Sequence, residues 1–263
     1  MKVLTFTALL TLLAGADSLT FFQKPSPLAE NAIVEDWPRF FGPDDNCTSG
    51  EGPLLKEFPK EGLRKVFELT RGDSYSSPIL VDGKLLHFHA VDSRETLDLH
   101  HAETGKQLWT FSYPIEYRDR YGFSPGPRSS PVVHRDRVYL VGVTAMLHCL
   151  DLTTGKVIWK RDLAKDYQIP QYFFGYGPNP LVCGDALILN IGGKEQKEEG
   201  TCVAALDLET GKTKWRYQDQ WGAAYASPVV TRMHGRKVVL VLAAGESRPA
   251  VGGLLILDPS TGK

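Results

Sequence analysis

Short apolar segments alternate with turn-forming residues along most of this chain, and they recur in a fixed order. Each round begins with a small or polar residue, a proline and an apolar run, as in Ser130-Pro131-Val132-Val133. A turn follows, and then a second apolar run such as Val138-Tyr139-Leu140-Val141. The runs are short and are separated by Gly, Pro and Asp, a pattern that predicts β-strands rather than helices.

Each round closes with a cassette that carries Thr-Gly-Lys and, further on, a Trp; Asp151 to Trp159 is one copy. The cassettes recur about every 50 residues, a period typical of propellers and solenoids. In this copy Asp151 can accept backbone N–H groups in the turn, and Gly155 can supply a positive φ. Val157 and Trp159 should then share one face of the next strand. The residues predicted to dock one repeat on the next are Gly105, Trp109, Asp151, Gly155, Trp159, Asp207, Gly211 and Trp215.

Four short strands joined by short turns, repeated at this period, predict an all-β propeller of four-stranded antiparallel blades. We expect the repeats to span residues 62–263. Phe67 stands where the other rounds have Trp, so residues 65–68 are predicted to be a fourth strand without the first three. The fourth cassette stops before its Trp, which suggests a fragment of a longer propeller with open blade edges. The blades are expected around residues 71–113, 124–163, 174–218 and 222–263, the last incomplete.

The N-terminus has the pattern of a secretory signal peptide. Lys2 precedes an apolar run, and Ala14-Gly15-Ala16 fits a small-residue cleavage site. We therefore interpret residues 1–16 as a signal peptide, which predicts export to the periplasm or the extracellular space. Residues 17–61 are interpreted as an N-terminal arm that has little structure before residue 35 and packs on the domain through its aromatic segment at Trp37.

Composition narrows the classes of partner. The 263 residues carry a formal net charge of −1, which is not the footprint of a nucleic-acid-binding protein. Beyond the N-terminus no apolar run reaches the ~18 residues of a transmembrane segment. The four cysteines contain no C-x-x-C pair, and we favour buried free thiols over a disulfide framework, although several pairings stay possible. They are Cys47, Cys149, Cys183 and Cys202.

The Ser-Pro strand followed by D-x-x-T-G-K-x-x-W resembles the pyrroloquinoline quinone (PQQ) repeat of eight-bladed propellers, over residues 62–263. The segment W-P-R-F-F-G-P at Trp37 is similar to the start of secreted PQQ-like propellers of planctomycete-type bacteria. The resemblance implies two functional branches: quinoprotein alcohol dehydrogenases, which hold PQQ and calcium on the propeller axis, and non-catalytic scaffolds similar to the outer-membrane assembly factor BamB. The fold alone does not choose between them.

The quinone branch implies adjacent cysteines and a Glu, Asn and Asp set around calcium. This chain has no Cys-Cys, and the calcium set cannot be placed on its residues. No cofactor is therefore expected, and PQQ and calcium belong to the alternative alone. His87 and His89 share a strand face and are weak candidates for metal ligands, but no matching carboxylate completes the set, so no metal site is predicted.

The loops before the first strand of each blade should converge on one mouth of the propeller. They combine aromatic rings with Arg, the residue types favoured at binding hot spots. Arg128, just before a strand, is the strongest candidate for a polar contact there; the alternative for the rings is that they pack loop on loop. The candidate binding residues are Tyr75, Tyr121, Phe123, Arg128, Phe174, Tyr176, Trp221 and Tyr225.

The leading hypothesis is an exported, non-catalytic binding or scaffold module that engages a protein partner or small ligand through these mouth loops. A PQQ-dependent oxidoreductase of the alcohol or sugar dehydrogenase type is the alternative. A carbohydrate-binding propeller is a third possibility, since aromatic mouths also suit sugars. No catalytic residue is assigned.

Overall fold

The computed structural model describes residues 19–193, 200–222, 225–244 and 252–263. The predicted signal peptide, residues 1–16, lies outside this part of the chain. The secondary structure of the described residues is almost entirely antiparallel β-sheet. No helix within the described ranges is long and apolar enough to cross a membrane.

The strands form successive sheets in chain order. A two-stranded pair comes first, β1 (Leu19–Phe21) and β2 (Phe67–Leu69). Blade 1 contains β3 (Ile79–Val81), β4 (Lys84–Val91), β5 (Arg94–His101) and β6 (Gln107–Pro114). Blade 2 contains β7 (Val132–His134), β8 (Arg137–Val141), β9 (Met146–Asp151) and β10 (Val157–Asp162), and helix α1 (Leu163–Tyr167) follows it.

Blade 3 contains β11 (Leu181–Cys183), β12 (Ala186–Asn190), β13 (Gly200–Asp207) and β14 (Thr213–Asp219). Blade 4 is described with three strands, β15 (Val229–Met233), β16 (Arg236–Ala244) and β17 (Gly252–Leu257). Within each sheet every strand pairs antiparallel with its neighbour in sequence. The predicted fold class, a propeller of four-stranded antiparallel blades of which part is present, is confirmed.

Alternate side chains of a strand point to opposite faces of its sheet, so each blade contributes to two cores. Phe88 of blade 1 packs in one core with Leu140 of blade 2. Leu147, on the other face of blade 2, shares the next core with Leu187 of blade 3. A third core joins the opposite face of blade 3 to blade 4. Burial of aliphatic side chains between neighbouring sheets thus holds the stack together.

Each fourth strand places a Trp over the glycine of the next cassette. A Cβ on Gly155 would lie 2.8 Å from the ring of Trp109, and one on Gly211 would lie 2.7 Å from the ring of Trp159. The Trp159 Nε1–H also donates a hydrogen bond to the Leu208 carbonyl at 3.0 Å. We call each such contact a Trp–Gly joint. The joints are Trp109 on Gly155, Trp159 on Gly211 and Trp215 on Gly262.

The turn of each cassette is closed by its first residue. The Asp151 Oδ1 atom accepts the N–H and the hydroxyl of Thr154 at 2.7 and 2.6 Å. Gly155 follows with φ +68°, in the left-handed region that favours glycine. In blade 1 His101 replaces the Asp, and its Nδ1 atom accepts the Glu103 N–H at 3.3 Å. A ring nitrogen there takes over part of the role of the carboxylate.

The predicted alternation of Val157 and Trp159 is interrupted in the structure. Val157 pairs with Leu150 and Trp159 with Cys149, so Ile158 is an extra residue in β10. The same register shift precedes the Trp of blades 1 and 3. Such a β-bulge increases the local twist and re-aims the side chain that follows it. The sequence pattern alone did not predict this bulge.

The expectation of little structure before residue 35 is wrong for β1, which pairs with β2. A Cβ on Gly105 would lie 2.8 Å from the Phe67 ring and 2.6 Å from Leu19. Phe67 therefore occupies the Trp position of a joint on blade 1. Since it has no ring N–H, this contact is apolar only.

The Trp37 segment of the arm lies along blades 1 and 2. The Trp37 N–H donates to the Leu80 carbonyl at 2.7 Å, and the Leu80 N–H donates back at 3.1 Å. The Val133 N–H donates to the Pro38 carbonyl at 2.9 Å. The arm thus pairs with the free edges of β3 and β7, edges that could otherwise pair with another chain.

The four cysteines are unpaired in the structure. Cys149, Cys183 and Cys202 are buried, in agreement with the preferred interpretation. Cys47 is exposed, so the expectation of a buried thiol is wrong at that position.

Candidate ligand-binding cleft

The loops before the first strands of the blades meet in a cavity of about 460 Å³, which we call the aromatic cleft. Its lining comes from the loops preceding β3, β7, β11 and β15. Five of the predicted binding residues are brought together there, along with one glycine. The lining residues are Tyr75, Phe123, Arg128, Phe174, Gly177 and Tyr225.

Phe174 is the centre of the ring cluster. Its ring centroid lies 5.6 Å from that of Tyr225, 5.8 Å from that of Phe123 and 6.3 Å from that of Tyr121. These distances are those of favourable aromatic pairs. Nevertheless, Phe174 is 38% exposed and Tyr121 60% exposed. A contiguous patch of partly exposed rings is unusual on a protein surface and indicates an interaction site.

Arg128 is held firmly in the wall of the cleft. One Nη donates to the Asp119 Oδ2 atom at 3.0 Å, and the other donates to the Gly126 carbonyl. Its guanidinium carbon lies 5.2 Å from the ring centroids of both Tyr75 and Tyr117. Such cation–π contacts are strongest when the cation is desolvated. The charge of Arg128 is therefore used to order the cleft, and little of it is available for an anionic ligand.

Asp119 organises the loop that carries Tyr121 and Phe123. Its Oδ1 atom accepts their N–H groups at 2.9 and 3.2 Å. Its Oδ2 atom accepts the Tyr117 hydroxyl at 3.2 Å as well as Arg128. Burial opposes ionisation, but these donors outweigh it and lower the pKa of Asp119. In the sequence Asp119 belongs to no motif, and the aromatic residues two and four positions later are the only local signal of this role.

Tyr225 ties the loops of two blades together. Its hydroxyl accepts the Phe174 N–H at 3.0 Å. A Cβ on Gly177 would lie 3.1 Å from the Tyr225 ring and 3.7 Å from Arg128 Cβ. The glycine therefore leaves room for the ring to approach the wall of the cleft.

Two predicted binding residues lie elsewhere. Tyr176 is only 5% exposed and belongs to the core between blades 2 and 3, where its hydroxyl donates to the Asn190 carbonyl at 3.0 Å. This burial raises its pKa. Trp221 packs against the core between blades 3 and 4, and a Cβ on Gly253 would lie 3.0 Å from its ring. Both rings are placed to pack between elements.

His87 and His89, the two weak candidates for metal ligands, contact each other and neighbouring polar groups. His89 Nδ1 accepts the Gly72 N–H at 2.8 Å, so its Nε2 carries the proton and donates to Asp98 Oδ2 at 2.9 Å. His87 stacks on His89 with the ring centroids 4.4 Å apart. Burial, and then His89, lower the pKa of His87 to about 4. No cluster of three metal-ligating side chains is found in the described part of the chain.

These histidines mark a difference between the blades. The cross-strand pair His87 and Asp98 of blade 1 corresponds in blade 3 to Leu189 and Ala204. In blade 4 the corresponding pair is Val241 with Leu255, and in blade 2 it is Leu140 with the buried His148. In blades 2, 3 and 4 the face that carries this pair is buried against the preceding blade. In blade 1 the same face is polar and borders a cavity of about 880 Å³.

The repeated blades and their Trp–Gly joints define a PQQ-like β-propeller. Residues 93–263 match the model of the PQQ_2 family, described as outer membrane protein assembly factor BamB, and the chain belongs to this family. The family and the fold suggested by the cassette are thereby confirmed.

Curated relatives include quinohemoprotein alcohol dehydrogenases. The enzyme ADH IIB of Pseudomonas putida is 32% identical over 120 residues, which cover 44% of this chain and 16% of the enzyme. The enzyme of Comamonas testosteroni is 27% identical over 157 residues, which cover 57% of this chain and 20% of the enzyme. The chain therefore spans a fifth or less of the length of these relatives.

Solved structures give the same fold. The quinohemoprotein alcohol dehydrogenase of Comamonas testosteroni matches with a TM-score of 0.51 at 20% identity, over 74% of this chain and 34% of that one. The enzyme ADHIIG of Pseudomonas putida HK5 matches with a TM-score of 0.50 at 17% identity, over 73% and 33%. At this level of identity the likeness concerns the fold alone.

Proposed function

We propose that the protein is an exported binding or scaffold module that engages a protein partner or small ligand through the aromatic cleft. The observation that carries the proposal is the contiguous set of partly exposed rings around Phe174. Asp119 and Arg128 hold the loops of this set in place, so the surface is pre-organised, which lowers the entropic cost of binding.

The family supports a role in protein interaction, since its model is described as an outer membrane assembly factor. Export rests on the pattern of the first 16 residues alone. Rings presented by loops on a rigid scaffold are a common way to build a binding site.

A PQQ-dependent oxidoreductase is the second candidate, and the alcohol dehydrogenase relatives favour it. The cofactor would need cationic donors for its carboxylates and oxygen ligands for calcium. In the described cleft the Arg128 guanidinium is bound to Asp119 and Gly126, and both Asp119 oxygens already accept hydrogen bonds. These residues do not fit the quinone and its metal, so no catalytic step is assigned to them.

Site-specific photo-crosslinking tests the proposal. The photoreactive residue p-benzoylphenylalanine is placed at Tyr121 in the cleft or, as control, at Phe58, an exposed aromatic residue of the arm. In an extract of the envelope, we expect a discrete cross-linked partner from position 121 and none from position 58. The additional change Phe174→Ala should abolish that product while the circular dichroism spectrum stays unchanged.

Other outcomes would replace the proposal. Equal labelling from positions 121 and 58, or a product that survives Phe174→Ala, would show that the cleft does not recognise a protein. Binding to a glycan array that is lost in Phe174→Ala would assign the cleft to carbohydrate. Stoichiometric uptake of PQQ and calcium with dye reduction by alcohols or aldoses would establish the oxidoreductase instead.

A further inference from the structure

Glu95 is a completely buried carboxyl that links blade 1 to blade 2. It lies on β5 with 0% of its surface exposed. Its Oε1 atom accepts the Val143 N–H at 2.8 Å, and its Oε2 atom accepts the Tyr113 hydroxyl. Val143 belongs to the turn between β8 and β9 of the next blade. The carboxyl therefore joins two blades at the end where the cleft loops begin.

The pocket around this carboxyl is shaped for it. A Cβ on Gly142 would overlap both the Glu95 carboxyl and the Tyr113 hydroxyl. Glycine at this position thus opens the space that the carboxyl fills. An ionised carboxylate in so dry a site is costly, whereas a neutral one is tolerated.

The same turn holds the loop that carries Phe174. The Val143 carbonyl accepts the Tyr176 N–H at 2.8 Å. Gly175 lies directly on Val143, because a Cβ on it would be 2.6 Å from Val143 Cγ2. Tyr117, whose ring packs on Arg128, also approaches Gly175. The hydrogen bond from Val143 to Glu95 therefore anchors the base of the cleft.

Glu95 is the group in this region that is set to titrate near neutral pH. Burial raises its pKa to about 7, although Tyr113, Val143 and the positive charge of Arg128 act in the opposite direction. Burial raises the pKa of Tyr113 on β6 well above its usual range. Burial also lowers the pKa of His148 to about 4; its ring on β9 lies 4.4 Å from that of Tyr113. Asp119, bound to Arg128, has a lowered pKa.

We propose that Glu95 is a proton-sensitive positioning residue of the aromatic cleft: its neutral form latches the Gly142–Val143 turn, and its ionisation releases the loop of Phe174. The neutral acid still accepts the Val143 N–H and keeps its hydrogen bond with the Tyr113 hydroxyl. The carboxylate favours states in which it reaches water, which requires the turn to separate from blade 1. The inference rests on the proposed role of the cleft, but it concerns how the cleft is held.

Amide hydrogen exchange tests the latch without any ligand. For wild type, we expect the protection of the Tyr176 N–H, corrected for intrinsic exchange, to fall about tenfold from pH 6 to pH 8, as release of one proton with a midpoint near 7 requires. Glu95→Gln reproduces the neutral acid, so its protection should stay high and independent of pH. Glu103→Gln, at an exposed position of the same blade, should behave as wild type.

If Glu95→Gln folds poorly, a second variant still tests the latch. Tyr113→Phe removes a donor to the carboxylate, so the midpoint should move to higher pH. Protection of Tyr176 that does not change with pH in wild type, or that changes equally in Glu95→Gln, would overturn the latch. A cleft that shows this response but cross-links nothing would refute the proposed function alone, and cross-linking without the response would refute only the latch.

Discussion

The joints between blades and the loops of the aromatic cleft are built on opposite principles. In the three joints the Trp Nε1–H donates to a backbone carbonyl at 3.0, 3.0 and 2.9 Å, and each ring covers a glycine. The cleft loops are less regular: Tyr75 and Tyr225 both lie three residues before the proline of a first strand, but Arg128 and Gly177 hold that position in the other two loops. The repeated residues pack similar blades against one another, whereas the candidate binding surface is formed by loop residues that differ between blades. Glu95 lies where the two regions meet.

Removing the ring of one joint should have the largest effect on stability. Trp159→Ala deletes the contact with Gly211 and the hydrogen bond to Leu208. Truncation of a packed Trp should lower the free energy of unfolding by about 3–5 kcal/mol. Urea unfolding followed by circular dichroism measures the loss.

Ile158→Ala is the matched control for this joint. Ile158 is the exposed extra residue of the bulge next to Trp159. We expect Ile158→Ala to lower the free energy of unfolding by less than about 1 kcal/mol, as a surface substitution does. Equal losses for the two variants would mean that the joint is not what holds blades 2 and 3 together.

The pH dependence of stability should reveal the group that both regions share. The pKa of Glu95 is about 7 in the folded protein against an ordinary value of 4.5, so the folded state retains a proton that the unfolded state has lost. Its contribution to stability is therefore complete below pH 4.5 and is lost as pH rises through 7. At 1.36 kcal/mol for each pH unit, the loss is about 3 kcal/mol.

Glu95→Gln isolates this contribution. The difference in unfolding free energy between the variant and wild type, measured by urea titration at several pH values, should grow in favour of the variant from pH 5 to pH 8. A difference that does not vary with pH would show that Glu95 ionises as freely in the folded protein as in the unfolded chain.

A glycine pair separates backbone conformation from ring contact in the joint. Gly211 and Gly184 have similar positive φ values, +68° and +65°, but only Gly211 lies under a Trp. Gly184→Ala should lower the free energy of unfolding by about 1 kcal/mol, because alanine is disfavoured in the left-handed conformation. Gly211→Ala should cost about 2–3 kcal/mol, because its Cβ also displaces the Trp159 ring. If the two changes prove equal in thermal or urea unfolding, the ring contact adds nothing.

The joints could be predicted from the sequence because each depends on a short motif and the motif recurs several times along the chain. Thr-Gly-Lys and Trp recur with a regular spacing, and even Phe67 was recognisable by its position. The bulge at Ile158 was missed, since it depends on how two strands pair and leaves no mark in the alternation.

The cleft was predictable only in part, because burial of a ring depends on which distant loop covers it. Tyr121 and Tyr176 looked equivalent in the sequence, yet one is 60% and the other 5% exposed. Glu95 has no local signal in the sequence and Asp119 only a weak one, for a similar reason. Glu95 bonds to Val143, 48 residues away, and Asp119 is identifiable only after its loop has folded around it.

The smallest effect on stability should come from the centre of the cleft, and it sharpens the comparison most. Phe174 is 38% exposed, and its ring contacts are with other partly exposed rings. Phe174→Ala should therefore lower the unfolding free energy by less than about 1 kcal/mol, while a hot-spot ring of this kind should reduce partner affinity at least tenfold. Comparing the cross-linking yield at position 121 with the urea midpoint measures both in one preparation. The joint variant Gly211→Ala should give the reverse result at a temperature where it remains folded, losing stability while keeping the cross-link. A Phe174→Ala protein as destabilised as Gly211→Ala would mean that the cleft rings are packing residues, and the division between joint and cleft would fail.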